Sequence, residues 1–199
     1  MRDLFHGTLE TERLKTLSVW SHFADEDLPW RPEPRARSVL EQFVHQCQSE
    51  DGWFTKMLGI ETGRSVLPVH EARIDFLRHY ADTTARRIAA IGERDNDWFA
   101  GTTLFFGEPR SRAWVLLRRI SHTSHHRGQL TAYLRMLRRT LYSNYGPTAD
   151  TGGLPAHGAP VIYRYASVDE LLAREADGGD WPPLPAASSA PVTERPHAE

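Results

Sequence analysis

The chain has 199 residues, 40% hydrophobic and 25% charged, with a formal net charge of -2. That length holds one domain with a sizeable core, and the balance is ordinary for a globular protein. Interleaved arginines and acids argue against a nucleic-acid or anionic-membrane partner, and the single cysteine, Cys47, excludes an intramolecular disulfide.

A lone cysteine fits a reducing, cytoplasmic compartment. The stretch Met1 to His6 has no apolar core of signal-peptide length, and no apolar run approaches the length of a bilayer span.

Leu9, Leu17, Trp20 and Phe23 fit a 3.6-residue period and predict a first helix over residues 8–27, ending before Pro29. Trp30-Arg31-Pro32-Glu33-Pro34 is a stiff turn, because each proline disfavours helix in the residue before it. A second helix over residues 36–58 carries Val39, Leu40, Phe43, Val44, Cys47, Trp53, Phe54, Met57 and Leu58 on its apolar side, and Gly59 and Gly63 mark its end. His45 lies mid-helix, with Glu41 one turn before it and Ser49 one turn after. Pro68 opens a third helix that continues to about Gly92, with Ile74, Leu77, Ile88 and Ile91 inward. Arg94 to Asp97 is a loop, and residues 98–106 form a short extended stretch or hairpin closed by Glu108-Pro109.

The fourth helix starts near Ser111 inside a segment of helical character over residues 110–140. Its buried side holds Trp114, Leu117, Ser124, Gly128, Thr131 and Leu134, but the middle is small and polar: Ser121-His122-Thr123-Ser124-His125. A core helix normally carries Leu or Ile there, and a polar interruption of a buried face marks function. Residues 142–155 are turn-rich, residues 161–165 form a short strand or extended segment, and residues 168–175 a short helix. From Ala176 the Pro, Ala, Ser and Gly content rises, which predicts a disordered tail over residues 176–199 beyond a domain of residues 1–175. There are no internal repeats. Four helices with short links predict an all-α, four-helix bundle.

His122 and His126 lie one turn apart on one helix face, since a helix advances about 100° per residue. Two neutral imidazoles at that spacing bind one divalent transition ion, and a third ligand from a neighbouring helix fixes it. His45 is the candidate third ligand. Three histidines leave a position open for water or substrate, as catalytic sites do, and a water there loses its proton near pH ~7. A thiolate is the alternative occupant. His122 with His125, three residues apart, remains an alternative pair. His6, His22, His70, His79 and His157 read as structural or exposed. Cys47 sits about 200° around the helix from His45 and reads as a small buried hydrophobe. Arg127 and Gln129 flank His126 as groups that support a ligand or touch substrate, against readings as a solvated arginine and a packing glutamine. Arg135, Arg138 and Arg139 read as a solvated helix end, with nucleic-acid binding as the competing reading. No general base stands out; Glu41 and Glu50 are weak candidates.

The run His122-x-x-x-His126-Arg127-Gly128-Gln129, with a separate mid-helix histidine, resembles the DinB/YfiT-like superfamily. The segment from Val44 to Phe54 is similar to its second helix, and Tyr142 to Gly153 resembles a segment of one DinB subgroup. The resemblance spans residues 8–165 and stops there. It implies a bundle of up-down-down-up topology, a homodimer, and one divalent ion per chain, commonly zinc or nickel, on His45, His122 and His126. It favours His126 over His125, because the last ligand directly precedes Arg-Gly-Gln. Relatives include thiol-dependent transferases and isomerases, and most members have no assigned reaction. The expectation is a metal-dependent enzyme acting on a small molecule by hydrolysis or by transfer of a low-molecular-weight thiol. The rival is a non-catalytic, metal-binding dimeric bundle serving as a structural or interaction module.

Overall fold

The computed structural model describes residues 1–185. Four long helices dominate: α1 (Arg2–Trp20), α2 (Val39–Leu58), α3 (Arg73–Gly92) and, after two smaller elements, α5 (Arg112–Met136). Between α3 and α5 lie the short helix α4 (Asn96–Ala100) and a hairpin, β1 (Thr102–Phe105) with β2 (Glu108–Ser111). A last helix, α6 (Val168–Asp177), follows a long irregular segment.

Local chemistry sets most boundaries. Ser38 and Glu41 form a reciprocal capping box at the start of α2, and Gly59, at φ +66°, closes its end in the left-handed region. The Ser111 hydroxyl caps α5 by accepting the Trp114 amide at 3.2 Å. The expected hairpin forms in register Thr102↔Ser111 to Phe105↔Glu108. Its two-residue turn, Phe106-Gly107, has φ of +49° and +90°, as a tight hairpin turn requires. Pro109 lies inside β2, where it was expected to end the element.

Three boundaries differ from the sequence-based expectation. α1 begins at Arg2, six residues before the expected start at Thr8, because Phe5 stacks on Phe99 of α4 at 5.5 Å and extends the buried face. It also ends at Trp20; the chain then bends into a 3-10 turn whose Asp27 carboxylate takes the Ala24 amide at 2.8 Å. α3 opens at Arg73 and not at Pro68, where the Arg73 amide donates to Asp25 at 2.8 Å.

The apolar core falls into two clusters. One gathers Leu17, Trp20, Phe43, Phe76, Tyr80, Leu130 and Leu134; the other gathers Phe5, Leu9, Phe54, Leu58, Ile88, Ile91, Phe99 and Leu116. α1 and α5 run from the second cluster to the first, and α2 and α3 run the opposite way. α1 packs on α3 and α5, and α2 on α5 and α3. Between the clusters each long helix contributes buried polar residues: Glu12, Glu50, Arg87, and Arg119 with His126 and Arg127. The bundle therefore carries a polar layer across its middle, where unpaired groups cost most and pairing is obligatory.

After α5 the chain wraps back over the bundle. Residues 161–165 form no strand; the Ser143 amide donates to the Ile162 carbonyl at 2.8 Å, and the Ile162 amide to the Ser143 hydroxyl at 2.9 Å. α6 packs on α3 and α1. Of the stretch expected to be a disordered tail, residues 186–199 lie outside the described residues. Before them, Trp181 Nε1 donates to the Tyr165 hydroxyl at 2.8 Å and the Arg164 guanidinium stacks on its ring, 4.3 Å from the centroid. No helix among the described residues is long and apolar enough to cross a membrane.

Candidate metal centre

His45 reaches the polar layer from α2, and His122 and His126 reach it from one face of α5. His126 Nε2 lies 3.0 Å from His45 Nε2 and 3.2 Å from His122 Nε2. One nitrogen from each ring falls within 4.8 Å of the other two. His125 is exposed on α5 and takes no part in the convergent set. The spacing fits a metal: bonds of about 2.0–2.1 Å at tetrahedral angles place neighbouring nitrogens about 3.3 Å apart.

The proton positions follow from the hydrogen bonds. His126 Nδ1 meets the amide oxygens of Gln129 at 2.9 Å and Gln42 at 3.0 Å, so it must donate, and its Nε2 presents a lone pair to the centre. The Gln42 amide nitrogen donates to Gln129 at 3.0 Å, which fixes both side-chain amides. His122 is held differently. Arg119 donates to its Nδ1 at 3.2 Å, which leaves the proton on Nε2, facing His126. Ligation through His122 Nε2 requires the opposite tautomer, so holding an ion there moves Arg119 off Nδ1. Arg119 has alternative partners at hand in Ser49 at 2.9 Å, Thr123 at 3.0 Å and Glu50 at 3.5 Å.

All three imidazoles are biased to the neutral form that ligation needs. Burial, then the Arg119 charge, lowers His122 to about 3. Burial lowers His126 to about 4, opposed by its bond to Gln129. Burial and the nearby Arg37 and Arg119 lower His45. A bound cation replaces a proton, so protons compete weakly here at neutral pH.

Gln129 supports His126, one of the two roles expected for it. Arg127 is not solvated: it is fully buried and ion-paired with Glu12 of α1, with Thr16 at 3.1 Å. Arg135, Arg138 and Arg139 stay solvated as expected, although Arg135 and Arg139 also pair with Asp150 and Asp27. Glu41 caps α2 and pairs with Arg31 at 3.0 Å, and Glu50 is locked between Arg87 and Arg119, so both are held by other partners. Cys47 is buried in the core, and burial pushes its thiol up. Gln42 and Arg119 were not singled out from sequence; their position one turn before His45 and His122 was the available signal.

Above the histidines opens a cavity of about 450 Å³, with Arg37, Arg118 and His125 in its wall. Room of that size admits a small molecule.

No curated protein matches the chain. Among solved structures, the crystal structure of a DinB-like protein from Bacillus cereus ATCC 10987 superposes with a TM-score of 0.63 at 22% identity, covering 71% of this chain and 95% of that one. Identity that low speaks for the fold alone. The DinB family matches residues 3–151, well over half of the chain and all three convergent histidines, and this protein belongs to that family.

Proposed function

We propose that this DinB-family protein is a metal-dependent enzyme, with one zinc or nickel ion held by His45, His122 and His126, that hydrolyses a small electrophile or transfers a low-molecular-weight thiol to it. The observation that carries the reading is the convergence of the three Nε2 atoms at 3.0 and 3.2 Å beneath an open cavity, with His126 fixed by Gln129. The ion supplies Lewis acidity to the water or thiol that takes its remaining position. The chain's own part is to hold and shield. Gln42 and Gln129 keep the proton of His126 on Nδ1, and Trp53, with its ring centroid 5.4 Å from that of His122, walls one side from solvent. Among the described residues, no acidic side chain lines the cavity directly over the three histidines.

Elemental analysis of protein purified without a metal-affinity tag tests this, on wild type and on His45→Ala. About one zinc or nickel per chain in wild type and little in the variant is the expected result. Wild type that takes up no zinc, nickel, manganese or iron on incubation overturns it. Chelation then separates a catalytic ion from a structural one: the apolar clusters close without the histidines, so the fold should persist when the ion is removed, with the melting temperature lowered only by the loss of the ion's own binding free energy.

A further inference from the structure

The arginines around the centre divide into two kinds. Arg31 and Arg35, ahead of α2, are neutralised by Glu41 at 3.0 Å and Glu33 at 2.8 Å. Arg37, two residues further, and Arg118 on α5 make no ion pair among the described residues, and these two line the cavity over the histidines. Among the described residues, none that lines this cavity is acidic. A second cavity, of about 510 Å³, shares Arg37 and His45 with the first and carries Glu41 and Glu71 in its wall, so the acidic groups lie on that side of Arg37 and not over the histidines.

In the cavity over the histidines the charge is therefore one-sided. Histidine ligands are neutral when they bind, and three of them leave a divalent ion's charge uncompensated. Two guanidiniums add to it, in a concave site where the potential is focused. Most surface arginines are simply solvated; what sets these two apart is that both line the cavity over the histidines. A guanidinium presents a planar fork of donors that matches the oxygens of a carboxylate or phosphate.

We infer that the substrate of this centre carries an oxyanion, a carboxylate or phosphate group, which Arg37 and Arg118 bind while its reacting end faces the histidines. The inference rests on the metal-centre reading above for the reacting end; the anion contact itself belongs to the two arginines.

Calorimetric titration of the full chain at fixed ionic strength tests it, with inorganic phosphate, succinate and the uncharged analogue succinamide as probes. Metal content is measured on every sample. The variants are Arg37→Gln, Arg118→Gln and, as a paired-arginine control, Arg31→Gln. The expected result is binding of phosphate or succinate but not of succinamide. Arg37→Gln and Arg118→Gln each weaken it about tenfold at unchanged metal content, and Arg31→Gln leaves it unaltered. The tighter of the two anions identifies the head group. Succinamide binding as tightly as succinate overturns the inference, as does an affinity indifferent to both variants, or a metal-loaded wild type that binds neither anion. Protein without metal that still binds an anion through both arginines overturns the metal centre and leaves this contact standing.

Discussion

His126 donates its Nδ1 proton to the side-chain oxygen of Gln129, three residues on along α5, at 2.9 Å. That bond orients a polar residue in a helix core: the tautomer is set, the ring cannot flip, and Nε2 faces His45 and His122. Removing it leaves the ligand in place but undirected. Gln129→Ala should weaken metal affinity by about 10–100-fold, the usual effect of losing such a support, with little change in melting temperature. Competition with a chromophoric chelator reads the affinity. An unchanged constant would show that Gln42, whose oxygen is 3.0 Å from the same nitrogen, suffices alone.

The arginine inside the same motif does something else. Arg127 reaches across to α1, where Glu12 accepts from it, from Ser124 at 3.1 Å and from the Tyr145 hydroxyl at 2.9 Å. The pair is buried, so losing one partner strands a charge. Glu12→Gln should destabilise the protein by about 3–5 kcal/mol in denaturant unfolding, while metal content per folded chain stays the same. The double change Glu12→Leu with Arg127→Met should recover much of the loss, because desolvation of both ions is then avoided. A single-variant effect under about 1 kcal/mol would mean that water reaches the pair.

What the sequence made legible was local. His122 and His126 are one turn apart, so the α5 half of the centre could be read from spacing. The buried face could not: Trp114, Leu117, Ser121 and His125 are exposed, and Val115, Leu116, Arg119 and Thr123 are buried in their place. The His125 alternative could not be settled by spacing, since three and four residues both keep to one side of a helix. What fixes it is the packing of α5 against α2, which brings His45 to within 3.0 Å of His126 across 81 residues of chain. The burial of Arg127 was hidden because Glu12 is 115 residues away, and the pairing of Arg139 with Asp27, 112 residues away, likewise has no local trace. The start of α1 was hidden for a similar reason: His6 and Gly7 look unlike helix until Phe5 finds Phe99.

The segment after α6 reads as Pro- and Gly-rich, yet Trp181 hydrogen-bonds Tyr165 at 2.8 Å, and the Tyr142 hydroxyl donates to the Pro182 carbonyl at 2.8 Å. Truncation after Pro185 and truncation after Asp177 should therefore differ. The shorter chain loses an aromatic anchor worth about 1–2 kcal/mol and should melt several degrees lower. Equal melting temperatures would show that the Trp181 contact is not formed in solution.

His22 supplies the pH dependence. Its Nδ1 donates to the Ser18 carbonyl at 2.6 Å, and its Nε2 accepts the Tyr142 amide at 3.4 Å, so only the neutral ring satisfies both. Burial, then the Arg164 charge, lowers its pKa from 6.5 to about 3. Above pH 6.5 both folded and unfolded chains hold the ring neutral, and it adds no pH dependence. Below that, the unfolded chain takes up a proton that the folded chain refuses, so stability falls as pH falls towards about 3. The loss attributable to His22 should reach about 2 kcal/mol by pH ~5. His22→Gln removes the proton-binding group, so its stability should be lower than wild type at pH ~7.5 yet decline less steeply between pH ~6.5 and ~5. Denaturant unfolding at a series of pH values reads both slopes, and their difference cancels the contributions of every other titrating group. Parallel slopes would mean that His22 is free to protonate in the folded chain, and with it that the Tyr142 segment does not seal this end of the bundle.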